Sequence, residues 1–133
     1  MVTIKGYTDI KQSKALAKIL PLESADMVYI WHATSDNPVF RFDEDMPPMV
    51  LKDVPIDEIT ADTLPCWSLA ALLSALPRHL DIGRPALITN YEGYYWVSYF
   101  DEYMKEKFTS KIHNNPVDAC VAMIEKLHKL KLI

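Results

Sequence analysis

The sharpest enzymatic hypothesis for this sequence is a cysteine nucleophile with a histidine base, drawn from its two cysteines and four histidines. Cys66 precedes a predicted helix, and a helix N-terminus can lower the pKa of a nearby thiol. The residues that could serve such a nucleophile as base or orienting group are His32, His79, His113 and Asp81. No flanking motif supports a cysteine-protease-like site, so we favour the alternative that Cys66 is a small buried apolar residue beside Trp67.

The same residues do not form a metal-binding pattern. Zinc sites place Cys or His ligands a few residues apart, and His128, like the other three histidines, has no such neighbour. Asp43, Glu44 and Asp45 are adjacent carboxylates, but they lack the alternating ligands and the glycine of a calcium loop. The three glycines of the chain cannot build a glycine-rich phosphate loop. We therefore predict no catalytic residue, metal or cofactor.

Seven aromatic residues within thirteen positions are the most unusual feature of the sequence. They are Tyr91, Tyr94, Tyr95, Trp96, Tyr99, Phe100 and Tyr103. Side chains alternate between the two faces of a strand. One face would carry Tyr95, Val97 and Tyr99, and the other Tyr94, Trp96, Ser98 and Phe100. One face must cover the core, and the opposite face still carries aromatic residues.

Three explanations for that second face stay open. Helices cover both faces of the sheet, or the face is a protein interface with Tyr and Trp anchors, or it stacks a planar or sugar ligand. The third explanation has the least support. The residues predicted to make contacts are four from this segment and two tryptophans elsewhere: Tyr91, Tyr94, Trp96, Phe100, Trp67 and Trp31.

Three apolar runs at helical spacing predict the helices that must position these residues. The runs are residues 9–20, residues 69–76 and a stretch that begins at Pro116. The predicted caps are Thr8 for the first helix, Ser68 or the residues just before it for the second, and Asn115 for the third. Cys120 falls on the apolar stripe of the last helix, and we expect it to lie in the core.

Runs of β-branched and aromatic residues predict the strands. They cover residues 27–32, 39–42, 86–91 and 94–100, with residues 105–112 as an optional fifth. The first two strands would form one hairpin, and the next two would form another around Glu92-Gly93. Residues 43–62 hold three prolines and seven carboxylates and are predicted to form an acidic loop.

These elements predict a single α+β domain over residues 1–133, in the order α-β-β-loop-α-β-β-(β)-α. A mainly antiparallel sheet of four to five strands would carry about three helices on one face. The chain has 133 residues, half of them apolar, which is enough for a core without disulfides. We expect both cysteines to be reduced.

Charge and hydropathy argue against two classes of partner. The net charge is −4, and an acidic chain without a basic stripe is a poor ligand for nucleic acid. The polar N-terminus does not resemble a secretory signal, and the longest apolar run is far shorter than the ~20 residues that span a bilayer. We therefore predict a cytoplasmic protein that contacts neither nucleic acid nor membrane.

Three blocks of the sequence resemble a family of small uncharacterised proteins from gut Bacteroidetes and their phages or mobile elements. The blocks are GYTDIKQSKALAKILPLESADM at residues 6–27, LPCWSLAALLSALP at 64–77 and NPVDACVAMIEKLHKL at 115–130. The resemblance implies a bacterial cytoplasmic or phage-encoded setting and supplies no catalytic residues. Within the first block, Glu23, Ser24 and Asp26 predict a tight turn held by side-chain hydrogen bonds, with a recognition site as the alternative.

The sequence thus favours a small non-enzymatic protein-interaction module, an accessory protein of a phage or mobile element. It would bind a partner protein, or itself as a homodimer, through the aromatic sheet face or the acidic loop. The alternative is a small-ligand-binding protein or minor enzyme, with a pocket between Trp67, the aromatic hairpin and Trp31.

Overall fold

A computed structural model describes residues 5–30, 32–34, 37–41, 47–53, 63–78 and 81–133. Its three α-helices are α1 (Ile10–Leu16), α2 (Leu69–Ala75) and α3 (Pro116–Lys129). Its strands are β1 (Met27–Ile30), β2 (His32–Thr34), β3 (Asn37–Arg41), β4 (Met49–Val50), β5 (Thr63–Cys66), β6 (Arg84–Thr89), β7 (Tyr95–Phe100) and β8 (Glu106–Thr109). Short 3₁₀ turns cover Leu22–Ser24 and Leu51–Asp53. The chain is therefore of the α+β class, as predicted.

The predicted caps are confirmed for two helices and wrong for the first. Ser68 accepts from the Ala71 N–H at the start of α2, and Asn115 accepts from the Asp118 N–H at the start of α3. The cap of α1 is Asp9, one residue after the predicted Thr8. Asp9 and Gln12 exchange side-chain and backbone hydrogen bonds at this end, which is a capping box. The helix also ends at Leu16, four residues earlier than predicted.

The strands do not form the predicted single sheet of four to five strands. In the described ranges they form a three-stranded sheet in the order β4-β1-β5, a two-stranded hairpin of β2 and β3, and a second three-stranded sheet in the order β6-β7-β8. All of these pairings are antiparallel. The predicted hairpin between residues 27–32 and 39–42 forms in part, because β1 pairs with β4 and β5 instead of β3.

The sequence did not indicate strand β5, which the chain uses as an edge of the first sheet. Its residues run opposite β1, from Thr63 beside Ile30 to Cys66 beside Met27. Pro65 lowers the strand propensity of the segment, but an edge position tolerates a residue without a backbone N–H. Leu64 and Cys66 are buried against α1 with Tyr29, so packing provides the stabilisation that the local sequence does not.

The main core lies between α3, α2 and the second sheet. Eight of the fourteen residues of α3 are buried, among them Cys120, Ile124 and Leu127. Val97 and Tyr99 of β7 are fully buried in the same cluster. None of the helices in the described ranges has both the length and the apolarity needed to cross a bilayer.

Candidate functional site

The second sheet has one face on the core and one face directed away from it. Val97 and Tyr99 face the core, and their neighbours Leu87 and Phe108 pack against the same cluster. The Tyr99 hydroxyl donates to the Pro77 carbonyl oxygen over 2.9 Å, and burial raises the pKa of Tyr99. The predicted alternation of β7 is confirmed, because Val97 and Tyr99 lie on the buried side.

The opposite face of this sheet, here called the outer face, is built in rows across the three strands. Strand pairing places Arg84, Phe100 and Glu106 in one row, because Phe100 pairs with both of the others. A register shift between Tyr99 and Phe100 sets Glu106, and not Lys107, opposite Phe100. The next rows hold Ala86, Ser98 and Thr109, and then Ile88 beside Trp96. Residues directly opposite each other on antiparallel strands share a face, so these eight residues form one surface.

Ser98 lies at the centre of the outer face and is fully buried by its neighbours. Its hydroxyl donates to Glu106 Oε2 over 3.0 Å, and Thr109 Oγ1 lies 3.1 Å from the Ser98 oxygen. A buried hydroxyl without such partners would destabilise the fold. These contacts also confirm that Glu106 and Thr109 point to the outer side of the sheet.

The large apolar residues of the outer face are only partly buried. Ile88, Trp96 and Phe100 each keep part of their surface in solvent, and none of them belongs to either buried cluster. The large apolar residues of the outer face are therefore not part of the buried core. Of the explanations for these residues, a protein interface and a ligand surface stay open.

The turn between β6 and β7 presents Tyr91 and Tyr94 at one end of the sheet. The side-chain oxygen of Asn90 accepts from the backbone N–H groups of Glu92 and Tyr94, each over 3.1 Å. These bonds hold the turn with Gly93 at a φ of +87°. Tyr91 is 97% exposed and Tyr94 43% exposed, so both predicted contact residues are accessible.

A second side-chain-held turn connects β7 to β8 at the opposite end. The carboxylate of Asp101 accepts from the N–H groups of Tyr103 and Lys105, over 2.8 and 3.0 Å. Met104 adopts a positive φ of 62°, and Tyr103 and Met104 are each 77% exposed. Both residues lie on this turn outside the outer face, and neither is among the predicted contact residues.

Trp67 must be removed from the predicted contact residues. Its side chain is fully buried in the main core, and its indole N–H donates to Ser24 Oγ over 2.9 Å. A side chain without exposed surface cannot reach a partner in solvent. The other predicted tryptophan, Trp31, lies outside the described residues.

The predicted nucleophile Cys66 lies in a closed polar cluster. Its sulfur is 3.5 Å from Thr8 Oγ1 and 3.4 Å from the Thr8 carbonyl oxygen, and Thr8 Oγ1 is 2.8 Å from Ser13 Oγ. Tyr29 donates its hydroxyl to the same carbonyl oxygen. Cys66 is fully buried, and this burial raises its pKa despite the hydrogen bonds from its neighbours. A raised thiol pKa is the opposite of what nucleophilic catalysis needs.

Two of the residues proposed to assist Cys66, His113 and Asp81, are described by the structure, and neither forms a hydrogen bond with it. No histidine side chain contacts Cys66 among the hydrogen bonds of the described residues. His113 instead pairs its backbone with Tyr95, and Asp81 is exposed with its carbonyl oxygen bound by Lys107. His79 and the side chain of His32 lie outside the described residues. Within the described part of the chain, no three Cys, His or carboxylate side chains could hold a metal ion.

Cys120 is buried in the core, as predicted. Burial raises the pKa of its thiol to about 12. Since α3 packs on β7 along this stripe, Cys120 acts there as a small apolar residue.

The polar link before β1 is a structural turn. Ser24 donates its hydroxyl to the Pro21 carbonyl oxygen over 2.6 Å and accepts the indole N–H of Trp67. The carboxylate of Asp26 accepts the backbone N–H and the hydroxyl of Ser68 at the start of α2. These bonds confirm the turn held by side-chain hydrogen bonds. Two of the three polar residues are committed to the fold, so we do not place a recognition site here.

The acidic loop predicted over residues 43–62 falls mostly outside the described residues. In its described part, β4 pairs with β1, and the N–H of Leu51 donates to the Asp26 carbonyl oxygen over 3.0 Å. Strand β4 therefore adds an edge to the first sheet. Asp43, Glu44 and Asp45 lie outside the described residues.

Comparison with known proteins does not identify a family or a function for this chain. No family model matches the chain, and searches of curated proteins and of solved structures found no match.

Proposed function

We propose that this protein is a non-enzymatic interaction module that binds a protein partner through the outer face of the β6-β7-β8 sheet. The observation that carries the proposal is the position of Ile88, Trp96 and Phe100. They project from the side of a paired sheet opposite its core contacts and keep part of their surface in solvent. Large apolar and aromatic side chains on a rigid support are the residues that dominate binding energy at interfaces.

The turn tyrosines extend this surface. Tyr94 and Tyr91 follow Ile88 at the end of the sheet, on a turn that Asn90 holds in place. A tyrosine loses little conformational entropy on binding, because it has only two rotatable side-chain bonds. Exposed tyrosines on a fixed turn therefore suit contact with another protein.

The alternative, a small-ligand-binding protein or minor enzyme, has less support. The predicted pocket included Trp67, but its side chain has no exposed surface and its indole N–H already donates to Ser24. Its nucleophile was to be Cys66, which is buried with a raised pKa. The role as an accessory protein of a phage or mobile element belongs to the proposal and rests on the sequence resemblance alone. The cytoplasmic setting also belongs to the proposal and rests on the polar N-terminus and the short apolar runs as well as on the resemblance.

The proposal is tested by capture from a lysate of the organism that encodes the chain. Tagged wild-type protein is compared with Trp96→Ala and with Tyr103→Ala, which removes an exposed aromatic residue outside the outer face. We expect at least one protein to be enriched by the wild type and by Tyr103→Ala and lost with Trp96→Ala. A thermal melt must show that both variants fold. If no protein, including a second copy of the chain, depends on Trp96, the proposal is wrong.

A further inference from the structure

We infer that the outer face binds a second copy of this chain, in a face-to-face dimer whose two-fold axis runs parallel to β7. The inference rests on the proposed function, because it names the partner of the same surface. Its evidence is the placement of opposite charges at the two edges of the face.

Arg84 and Glu106 lie at opposite ends of one row of the outer face, with Phe100 between them. Both are exposed. Arg84 makes no ion pair within the described part of the chain, and Glu106 only accepts the Ser98 hydroxyl. The face therefore has Arg84 at its β6 edge and Glu106 at its β8 edge, with Phe100 between them. Lys107, the other charged residue of β8, donates its ammonium to the Asp81 carbonyl oxygen over 2.6 Å.

A two-fold rotation about an axis parallel to β7 makes these charges complementary. The rotation keeps each row opposite the same row of the other copy and exchanges the two edges. Strand β6 of one copy then covers β8 of the other, so Arg84 of each copy faces Glu106 of the other. Such a self-complementary contact is what a two-fold interface requires. Sheets that pack face to face in aligned fashion keep their strands within about 30° of each other.

The other in-plane axis, perpendicular to the strands, gives a poorer match. It reverses the order of the rows, so that the row of Arg84 lies on the row of Ile88 and Trp96. Arg84 would then lose water against apolar side chains without gaining a partner, which is costly. The charges thus select one of the two arrangements.

The apolar part of the contact is small, and this sets the strength of the dimer. In the selected arrangement Trp96 and Phe100 of one copy lie against the same residues of the other. Three strands about 4.8 Å apart, with six residues of about 3.3 Å each along β7, cover roughly 14 by 20 Å. Stable complexes bury about 800 Å² on each partner. We therefore expect a reversible dimer that dissociates on dilution.

The test is sedimentation equilibrium of the purified full chain over a wide concentration range. We compare the wild type with Arg84→Glu, with Glu106→Arg and with the double exchange, which leaves the net charge unchanged. Each single exchange places like charges opposite each other at both edges and should weaken dimerisation at least about tenfold. The double exchange should restore it.

Two further variants separate the charge effect from folding. Glu106→Gln still accepts the Ser98 hydroxyl and loses only the charge, so it should weaken the dimer less than Glu106→Arg does. Glu125→Arg makes the same charge change on an exposed position of α3, on the other side of the sheet, and should leave the dimer unchanged.

A wild type that stays monomeric at every concentration, or a double exchange that does not restore association, overturns the inference. The proposed function survives the first of these results if a foreign protein is captured in a Trp96-dependent manner. It fails as well if Trp96→Ala changes no interaction.

Discussion

The carboxylate of Asp26 accepts two hydrogen bonds from Ser68, one from its backbone N–H over 2.9 Å and one from its hydroxyl. Ser68 in turn accepts from the Ala71 N–H as the N-cap of α2. Asp26 directly precedes β1, so these bonds join the start of the first sheet to the start of the buried helix. These hydrogen bonds explain the charged Asp26 side chain in the polar link before β1, where apolar packing gives no reason for it.

Asp26→Ala should reduce the free energy of unfolding by about 1–3 kcal/mol, because it removes two charge-assisted hydrogen bonds from the cap of α2. The measurement is urea denaturation followed by circular dichroism. Glu23→Ala is the matched control, since Glu23 is exposed in the same link and should change stability by less than about 0.5 kcal/mol. Equal effects of the two variants would show that the Asp26–Ser68 contact adds nothing.

Two glycines with positive φ provide a second matched pair. Gly83 has a φ of +92°, and a Cβ at this position would overlap the carbonyl oxygen of Phe100 on the neighbouring strand. Gly93 has a φ of +87° with open space around it. We expect Gly93→Ala to cost about 1 kcal/mol for the backbone conformation alone. Gly83→Ala should cost at least twice as much, since the clash adds to the strain. Thermal melts of both variants test the difference, and similar melting temperatures would contradict it.

Asp118 should make stability depend on pH in the acidic range. Burial alone would raise its pKa, but hydrogen bonds from Gln12, Asn115 and Lys5 outweigh that effect and lower it. A folded-state pKa below the unfolded value means that the stabilisation is present at neutral pH and is lost as the pH falls through the folded-state pKa.

The variant Asp118→Asn should therefore be less stable than the wild type at pH 7, by about 1 kcal/mol for a partly solvent-screened group. The difference should shrink below about pH 4, where the unfolded carboxyl begins to bind its proton. Glu125→Gln, an exposed change on the same helix, is the control and should show no such pH dependence. Urea denaturation at several pH values gives the free energies, and a difference that grows in acid would be the wrong sign.

Neither cysteine should react with thiol reagents in the native state. Cys66 and Cys120 are both fully buried, and burial raises the pKa of each thiol. At pH 7 we expect no labelling by an aromatic disulfide reagent in the folded protein and complete labelling in urea. The variant Cys66→Ala identifies the site if one thiol reacts early. Fast reaction of native Cys66 would revive the nucleophile hypothesis.

Local patterns in the sequence predicted the parts of the candidate site that depend on one strand. The alternation of residues 94–100 placed Trp96 and Phe100 on the face opposite Val97 and Tyr99. It could not indicate Arg84 or Glu106, because their position beside Phe100 depends on the register of three strands. It also could not show that Trp67 is buried, since its hydrogen-bond partner Ser24 lies 43 residues away.

The sequence by itself determined the α+β class, the starts of α2 and α3 and the two faces of β7. Caps and side-chain periodicity act over a few residues, so they can be read locally. Only the tertiary structure decided that β1 pairs with β5, that Thr8 satisfies Cys66 instead of capping α1, and that opposite charges flank Phe100. Each of these outcomes depends on which distant segments pack together. Buried polar groups need hydrogen-bond partners, and those partners come from whichever segments the fold places beside them.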